Sequence, residues 1–206
     1  MSLNLLGKKA LLVCLELFSI HGRSGIYDFA YLMRRALLGD GCAAVVLSGE
    51  DLGDDNGKWA VLGNSSYLVE NSTHISKIFS NDEGLDMETS PELPKYIESR
   101  LGPFVDKLLK EQNFSHHSEI DLIGIHPASP VLLKAAQSGL ALSPEKLKAS
   151  WDTLKNYGNM SSGTIWFVIE KLLQTEDQEP KTLMALAYGP GITIEGVVLS
   201  KCSGKV

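Results

Sequence analysis

Strands and helices interleave along this chain, which predicts an α/β protein with mixed layers in a helix–sheet–helix arrangement. Short apolar runs such as ALLVCLEL and DLIGI are typical of buried strands. Between them lie longer segments in which apolar residues recur every three or four positions, the pattern of helices that bury one face. The 206 residues are enough to bury a real core.

The N-terminal quarter predicts strand, helix and strand. Residues 10–18, which follow Lys8 and Lys9, form an apolar run interrupted by Glu16, so we expect a buried strand. Residues 27–38 predict a short helix that ends at Gly39 and Gly41, because glycine adopts the positive φ angles of a sharp turn. The apolar segment 42–48 then predicts a second strand.

The next segment predicts two strands and a long helix. Residues 52–81 alternate loosely, as two strands around a loop would. Residues 82–94 are the expected exposed excursion. Ser90 and Pro91 are a suitable cap and first-turn pair for a helix that extends to Leu109. We expect Gly102–Pro103 to kink or break this helix.

The C-terminal half alternates again. The apolar run at 121–125 predicts a short strand, and residues 182–202 predict two strands joined by a Gly-Pro-Gly loop. The intervening helices are predicted at residues 129–140, 143–154 and 161–173. The last of these is apolar almost all round, so it should be a central helix packed on several sides.

Composition excludes several classes of function. The chain has 44% hydrophobic and 21% charged residues, as ordinary globular proteins do. Its net charge of −6 argues against nucleic acid as a main partner. The basic doublets Lys8–Lys9 and Arg34–Arg35 are interpreted as solvated faces. No apolar run is long enough for a membrane span. Three cysteines without metal spacing indicate a reducing, cytoplasmic setting.

His126 and Asn159 are the candidate catalytic residues. His126 follows the predicted strand at 121–125, where open α/β sheets place their sites, and Pro127 holds it extended. Asn159 lies in the turn YGNMSSG before a helix. A neutral imidazole and an amide can both donate to one oxyanion or enolate oxygen. A core histidine and a helix-capping asparagine remain the alternatives.

Other reactive side chains have weaker support. His116 and His117 lie in a polar loop and are poor metal-ligand candidates. Cys14 lies in the middle of a strand, where a small buried apolar residue is the usual explanation. Ser129 is too close to His126 in sequence to form a nucleophile–base pair with it.

Three blocks together resemble the type III polyketide synthases, the chalcone and stilbene synthase family. These blocks are ALLGDGCAAVVL, the stretch from IHPASP to YGNMSSGTIWFVIEKL, and YGPGITIEGVVL. The resemblance implies a thiolase-like fold, of which this chain holds the C-terminal half plus the last strands of the N-terminal half. Residues 1–50 would then end the N-terminal half, and residues 51–206 would form the C-terminal domain.

The resemblance also implies an activity and its residues. The family uses a Cys-His-Asn triad for the decarboxylative condensation of malonyl-CoA onto an acyl starter. His126 and Asn159 match the His and Asn of that triad. It implies acyl-CoA and malonyl-CoA as substrates without any other cofactor, and a homodimer or association with an N-terminal half. The implied substrate-binding residues are Leu38, Met87, Ser161, Gly189, Pro190 and Gly191.

Departures from the family pattern keep other functions open. The catalytic cysteine of the family lies upstream of the blocks matched here, so we expect it to be absent from this chain. Leu38 and Met87 replace two aromatic gate residues. Ala187 and Tyr188 replace the first two residues of the usual GFGPG loop. The alternatives are a non-catalytic half-fold that binds acyl-CoA or a partner subunit, and a ketoacyl-carrier-protein synthase relative.

Overall fold

The computed structural model describes residues 7–22, 25, 29–49, 58–82, 84–174 and 181–202. The strands are β1 Lys9–Glu16, β2 Gly41–Ser48, β3 Trp59–Leu68, β4 Ser76–Asn81, β5 Gly84–Thr89, β6 Leu122–Ile125, β7 Thr182–Gly189 and β8 Thr193–Lys201. The helices are α1 Phe29–Leu37, α2 Leu93–Lys110, α3 Pro130–Gly139, α4 Lys148–Tyr157 and α5 Thr164–Leu173.

The main sheet has four strands in the order β3-β8-β7-β6. β7 pairs antiparallel with β8 and parallel with β6. Four consecutive residues of β7, Leu183 to Leu186, are buried. A strand buried on both faces reads as a continuous apolar run, which is why TLMALAYG shows no alternation.

Helices cover both faces of this sheet, as the sequence predicts. On one face α2 and α3 pack against Met184, Leu186 and Val198. On the other face α5 packs against Leu183 and Ala185. The helix–sheet–helix layering of a mixed α/β protein is therefore confirmed.

Helix α2 differs from the sequence expectation at its start and its centre. It begins at Leu93 rather than at Pro91, although the Ser90 hydroxyl still accepts the Glu92 N–H at 3.2 Å. Pro103 lies inside the helix without breaking it. Proline removes one helical hydrogen bond, but the buried stripe on both sides of it, including Leu101 and Val105, holds the helix together.

Two smaller sheets flank the main one. β1 and β2 pair antiparallel, and the prediction that β1 is buried is wrong for its outer face, where Leu11, Val13 and Leu15 are exposed. The expected excursion at 82–94 is also wrong in part, because residues 84–89 form β5, which pairs with β4. Cross-strand pairing to β4 orders a segment whose own sequence is polar.

Candidate functional site

His126 extends the pairing between β6 and β7 by one residue. Its N–H donates to the Leu186 carbonyl at 2.8 Å, and its ring meets the Tyr188 ring edge-on, with the ring centroids 6.1 Å apart. The residue is 7% exposed, and this burial lowers the pKa of His126 to about 4. At neutral pH the imidazole is therefore uncharged, with one N–H donor and one acceptor nitrogen.

Asn159 joins the loop after β6 to the start of α5. Its Nδ2 donates to the Ala128 carbonyl at 2.9 Å, and its Oδ1 accepts the Ser161 N–H at 2.8 Å. The Asn159 oxygen thus closes a local turn ahead of α5, although Asn159 is not the N-cap residue of that helix. An amide nitrogen carries two hydrogens, and the Ala128 carbonyl takes one of them.

The backbone of Asn159 is bonded to the end of α1. The Asn159 N–H donates to the Leu37 carbonyl at 2.8 Å, and the Gly39 N–H donates to the Asn159 carbonyl at 2.9 Å. This contact requires glycine on both sides: a Cβ on Gly39 would lie 2.4 Å from the Tyr157 carbonyl oxygen. A Cβ on Gly158 would lie 2.7 Å from the Leu37 carbonyl oxygen. The glycines thus fix Leu38 beside Asn159.

A cavity of about 940 Å³ brings the candidate residues together. His126 and Asn159 both line it. The predicted substrate-binding residues that also line it are Leu38, Met87, Ser161, Gly189 and Pro190. Gly191 is not among the described residues of its wall. Instead, at a φ of 70°, it donates its N–H to the Ser76 carbonyl at 2.7 Å, which anchors the Gly-Pro-Gly turn to β4.

A second cavity of about 390 Å³ adjoins the first. Sequence reasoning missed Arg34, which lines both cavities, because it interpreted the Arg34–Arg35 doublet as a solvated face. The Arg34 guanidinium instead lies 3.2 Å from the Asp86 carboxylate, with only 31% of its side chain exposed. The sequence offered one signal that Arg34 belongs to the site: it lies one helical turn before the gate position Leu38.

The remaining candidates lie away from this centre. The His116 ring accepts the Ser118 N–H at 3.2 Å and caps a short turn. No group of three possible metal ligands occurs within the ranges that the structure describes. Cys14, Cys42 and Cys202 are free thiols, and none of them belongs to the described wall of the larger cavity.

The comparisons with known proteins agree in one family. The family model for the C-terminal domain of chalcone and stilbene synthases matches residues 61–203. The chain is 35% identical over 194 residues to the alpha-pyrone synthesis polyketide synthase-like Pks18 of Mycobacterium tuberculosis, covering 92% of this chain and 49% of the relative. It is 30% identical over 203 residues to type III polyketide synthase B of Arabidopsis thaliana, covering 93% and 52%.

Solved structures show the same likeness. PKS-I from the brown alga Ectocarpus siliculosus matches with a TM-score of 0.87 and 30% sequence identity, over 96% of this chain and 54% of that chain. The mixed α/β architecture is thus the thiolase-like fold of the type III polyketide synthases. The chain belongs to their family, the chalcone and stilbene synthases. It spans about half the length of the curated relatives it matches.

The family result bears on one of the alternatives that the sequence left open. The match to the chalcone and stilbene synthase family favours a type III polyketide synthase over the ketoacyl-carrier-protein synthase alternative. Among the helices that the structure describes, none is both long and apolar enough to cross a bilayer.

Proposed function

We propose that this chain is the C-terminal half of a type III polyketide synthase-like acyltransferase. The complete enzyme condenses malonyl-CoA with an acyl starter and releases carbon dioxide. The observation that carries the proposal is that His126 and Asn159 line one cavity in a chain of this family. Coenzyme A thioesters are the proposed substrates, and no further cofactor is proposed.

The two side chains suit the decarboxylation step. When the malonyl carboxylate leaves as carbon dioxide, its bonding electron pair moves to the adjacent carbon, and the thioester oxygen becomes negative. N–H donors directed at that oxygen stabilise the enolate more than the starting thioester and so lower the barrier. His126 would supply its ring N–H, and Asn159 would supply its second amide hydrogen.

The neutral state of His126 supports this role. Because burial lowers its pKa to about 4, the imidazole stays uncharged at the pH of the cytoplasm. It then donates a hydrogen bond without protonating the enolate carbon, which must attack the starter thioester. The Asn159 amide cannot titrate, so both donors keep their hydrogens over the working range.

The nucleophile that holds the starter is proposed to lie outside this chain. In support, the three thiols present occupy β1, β2 and the residue after β8, away from the described wall around His126 and Asn159. A homodimer of the complete enzyme, or association with an N-terminal half, would supply the thiolate and the remaining contacts to coenzyme A.

Two measurements on the chain test this proposal. We expect slow release of acetyl-CoA from malonyl-CoA, because the enolate takes a proton from water when no starter is bound. This release should be lost in His126→Gln and in Asn159→Asp. His116→Gln is the matched control, since His116 lies in an exposed loop away from the cavity. Equal rates in all four proteins would refute the assigned roles of His126 and Asn159.

The second measurement addresses the nucleophile. After incubation with acyl-CoA esters, intact-mass spectrometry should show no acyl adduct. A stoichiometric adduct on Cys14 that hydroxylamine removes would place the nucleophile inside this chain. Cys14→Ser is then the control that assigns the adduct to that sulfur.

A further inference from the structure

A narrow set of residues separates the two cavities. Those that line both are Phe18, Arg34, Leu38, Ile78, Met87 and Ser161. They come from four separate parts of the chain: the segment after β1, the end of α1, the β4–β5 pair, and the segment before α5. Any ligand that reaches from one cavity into the other passes between them.

Arg34 binds the opposite wall of this passage through two groups. Its Nη1 donates to the Met87 carbonyl at 3.0 Å, and its Nη2 lies 3.2 Å from Asp86 Oδ1. The same Asp86 oxygen accepts the Met87 N–H at 2.9 Å. The guanidinium and the carboxylate therefore hold both polar groups of the Met87 backbone.

The β4–β5 pair depends on contacts with the rest of the chain to keep its position. It forms a two-stranded sheet of its own, and such sheets are marginally stable when isolated. At its base the Gly191 N–H donates to the Ser76 carbonyl, and the Ser90 N–H donates to the Ile75 carbonyl, both at 2.7 Å. Met87, paired with Ile78, lies further along the strands, where Arg34 makes its contact.

Arg34 also reaches the other gate position. Its carbonyl accepts the Leu38 N–H at 2.9 Å, and Leu38 in turn pairs with Asn159. A continuous path of hydrogen bonds thus runs from the Asn159 backbone through the end of α1 to Met87. The guanidinium is half-buried, so the surrounding walls limit how far it can move.

We propose that Arg34 is a positioning residue that holds Met87 against α1 and so fixes the passage between the two cavities. The proposal rests on the proposed function in one respect, namely that the ligand in the passage is an acyl chain. With Arg34 in place, the passage admits chains of limited length. Without it, β5 moves away from α1, and longer chains enter the smaller cavity.

A methyl resonance tests the positioning without any activity. With ¹³C-methyl methionine labelling, the Met87 signal is assigned by its loss in Met87→Leu. We expect this signal to shift or broaden in Arg34→Met and in Asp86→Asn, while Arg34→Lys, which keeps the charge but not the planar fork, gives a smaller change. Arg100→Met is the matched control, because Arg100 stacks on Tyr96 away from both cavities.

Competition binding tests the consequence for the ligand. The bound probe is a dansyl-labelled undecanoic acid, which octanoyl-CoA or palmitoyl-CoA displaces. Because both competitors carry the same coenzyme, its contribution cancels in the ratio of their affinities. We expect Arg34→Met to raise the preference for palmitoyl-CoA by about fivefold, the scale of the net contribution of one hydrogen bond. Arg100→Met should bind as the unmodified chain does.

Each outcome decides a separate point. An unchanged Met87 signal in folded Arg34→Met overturns the positioning role, and a shifted signal with an unchanged palmitoyl preference overturns the role in chain length. If the unmodified chain binds neither thioester, the proposed function fails, and the Met87 signal alone still decides whether Arg34 holds the strand. If Arg34→Met does not fold, Asp86→Asn breaks the same ion pair from the β5 side.

Discussion

His126 lowers the free energy of unfolding by an amount that depends on pH. Burial lowers its pKa from 6.5 to about 4, so the unfolded chain binds a proton near pH 6.5 while the folded chain stays neutral. The unfolded state therefore binds more protons between these values, and the free energy of unfolding falls as the pH falls. We predict that between pH 6.5 and 4 the free energy of unfolding of His126→Gln falls by about 3 kcal/mol less than that of the unmodified chain. Urea unfolding at both ends of the range measures it.

A matched substitution separates this effect from general acid sensitivity. His74→Gln is the matched control, because it makes the same substitution at an exposed histidine. If His126→Gln loses as much stability as the unmodified chain on going to pH 4, another group causes the acid sensitivity.

Tyr188 gives a second prediction at the scale of one residue. Its hydroxyl is buried without a hydrogen-bond partner among the described residues, and burial raises the pKa of the phenol, which therefore stays protonated. An unsatisfied buried hydroxyl costs stability. We predict that Tyr188→Phe raises the free energy of unfolding by about 1 kcal/mol, measured by urea denaturation.

Tyr157→Phe is the control for Tyr188, because Tyr157 is 53% exposed and its hydroxyl can bond to water. That substitution should change the stability by less than about 0.5 kcal/mol. A loss of stability in Tyr188→Phe would show that the buried hydroxyl has a partner in solution.

Local patterns explain which residues of the candidate site the sequence predicted. His126 and Asn159 stand out because a strand end and a glycine-flanked turn mark them within a few positions. Arg34 is marked only by its spacing from Leu38, because its contact with the Met87 carbonyl spans 53 positions along the chain. Its role depends on a tertiary contact that hydrophobic periodicity does not encode.

At the scale of elements, glycines set how closely the helices approach. A Cβ on Gly139 would lie 2.4 Å from the Glu98 carbonyl oxygen of α2. A Cβ on Gly196 would lie 2.6 Å from the Leu108 side chain, and Gly189 has open space. We predict that alanine costs most at Gly139, about 1–3 kcal/mol at Gly196, and least at Gly189. Thermal and urea unfolding of the three variants give the order.

The reason for this order is the nature of the obstructing atom. A leucine side chain can change rotamer, whereas a helix backbone can move only if α2 and α3 separate. Equal losses at Gly139 and Gly189 would mean that the two helices are less closely packed than the structure shows.

The sequence predicted elements well where burial produced a regular pattern. The apolar stripe of α2 and the continuous run of β7 both indicated the right element. The sequence did not predict β5 as a strand, because Asp86 and Glu88 make this segment polar. Pairing with β4, rather than its own residues, specifies the strand. The start of α2 was placed early since Ser90–Pro91 and Pro94 both offer N-terminal signals.

At the scale of the whole molecule, one apolar face of the β1–β2 sheet is exposed. Residues on β1 and β2 that face the same side pair directly across the strands, as Leu11 does with Val46. Both are 66% exposed, and Val13 and Leu15 on the same face are 53% and 58% exposed. The sequence predicted burial here because apolar strands are normally covered, and no described residue of this chain covers this face.

We predict that this uncovered face makes the chain self-associate, because a contiguous exposed apolar patch is removed from water when two copies meet. Light scattering after size exclusion should give a mass above that of one chain, rising with concentration. The double variant Leu11→Lys with Val46→Glu keeps a cross-strand pair but removes the apolar surface, so it should shift the protein towards the monomer. Val131→Thr on α3 removes an equally exposed apolar side chain elsewhere, at 61% exposure, and should leave the mass unchanged. A monodisperse monomer at every concentration would show that this half of the thiolase-like fold is self-sufficient, and would favour a stand-alone binding role over that of an enzyme part.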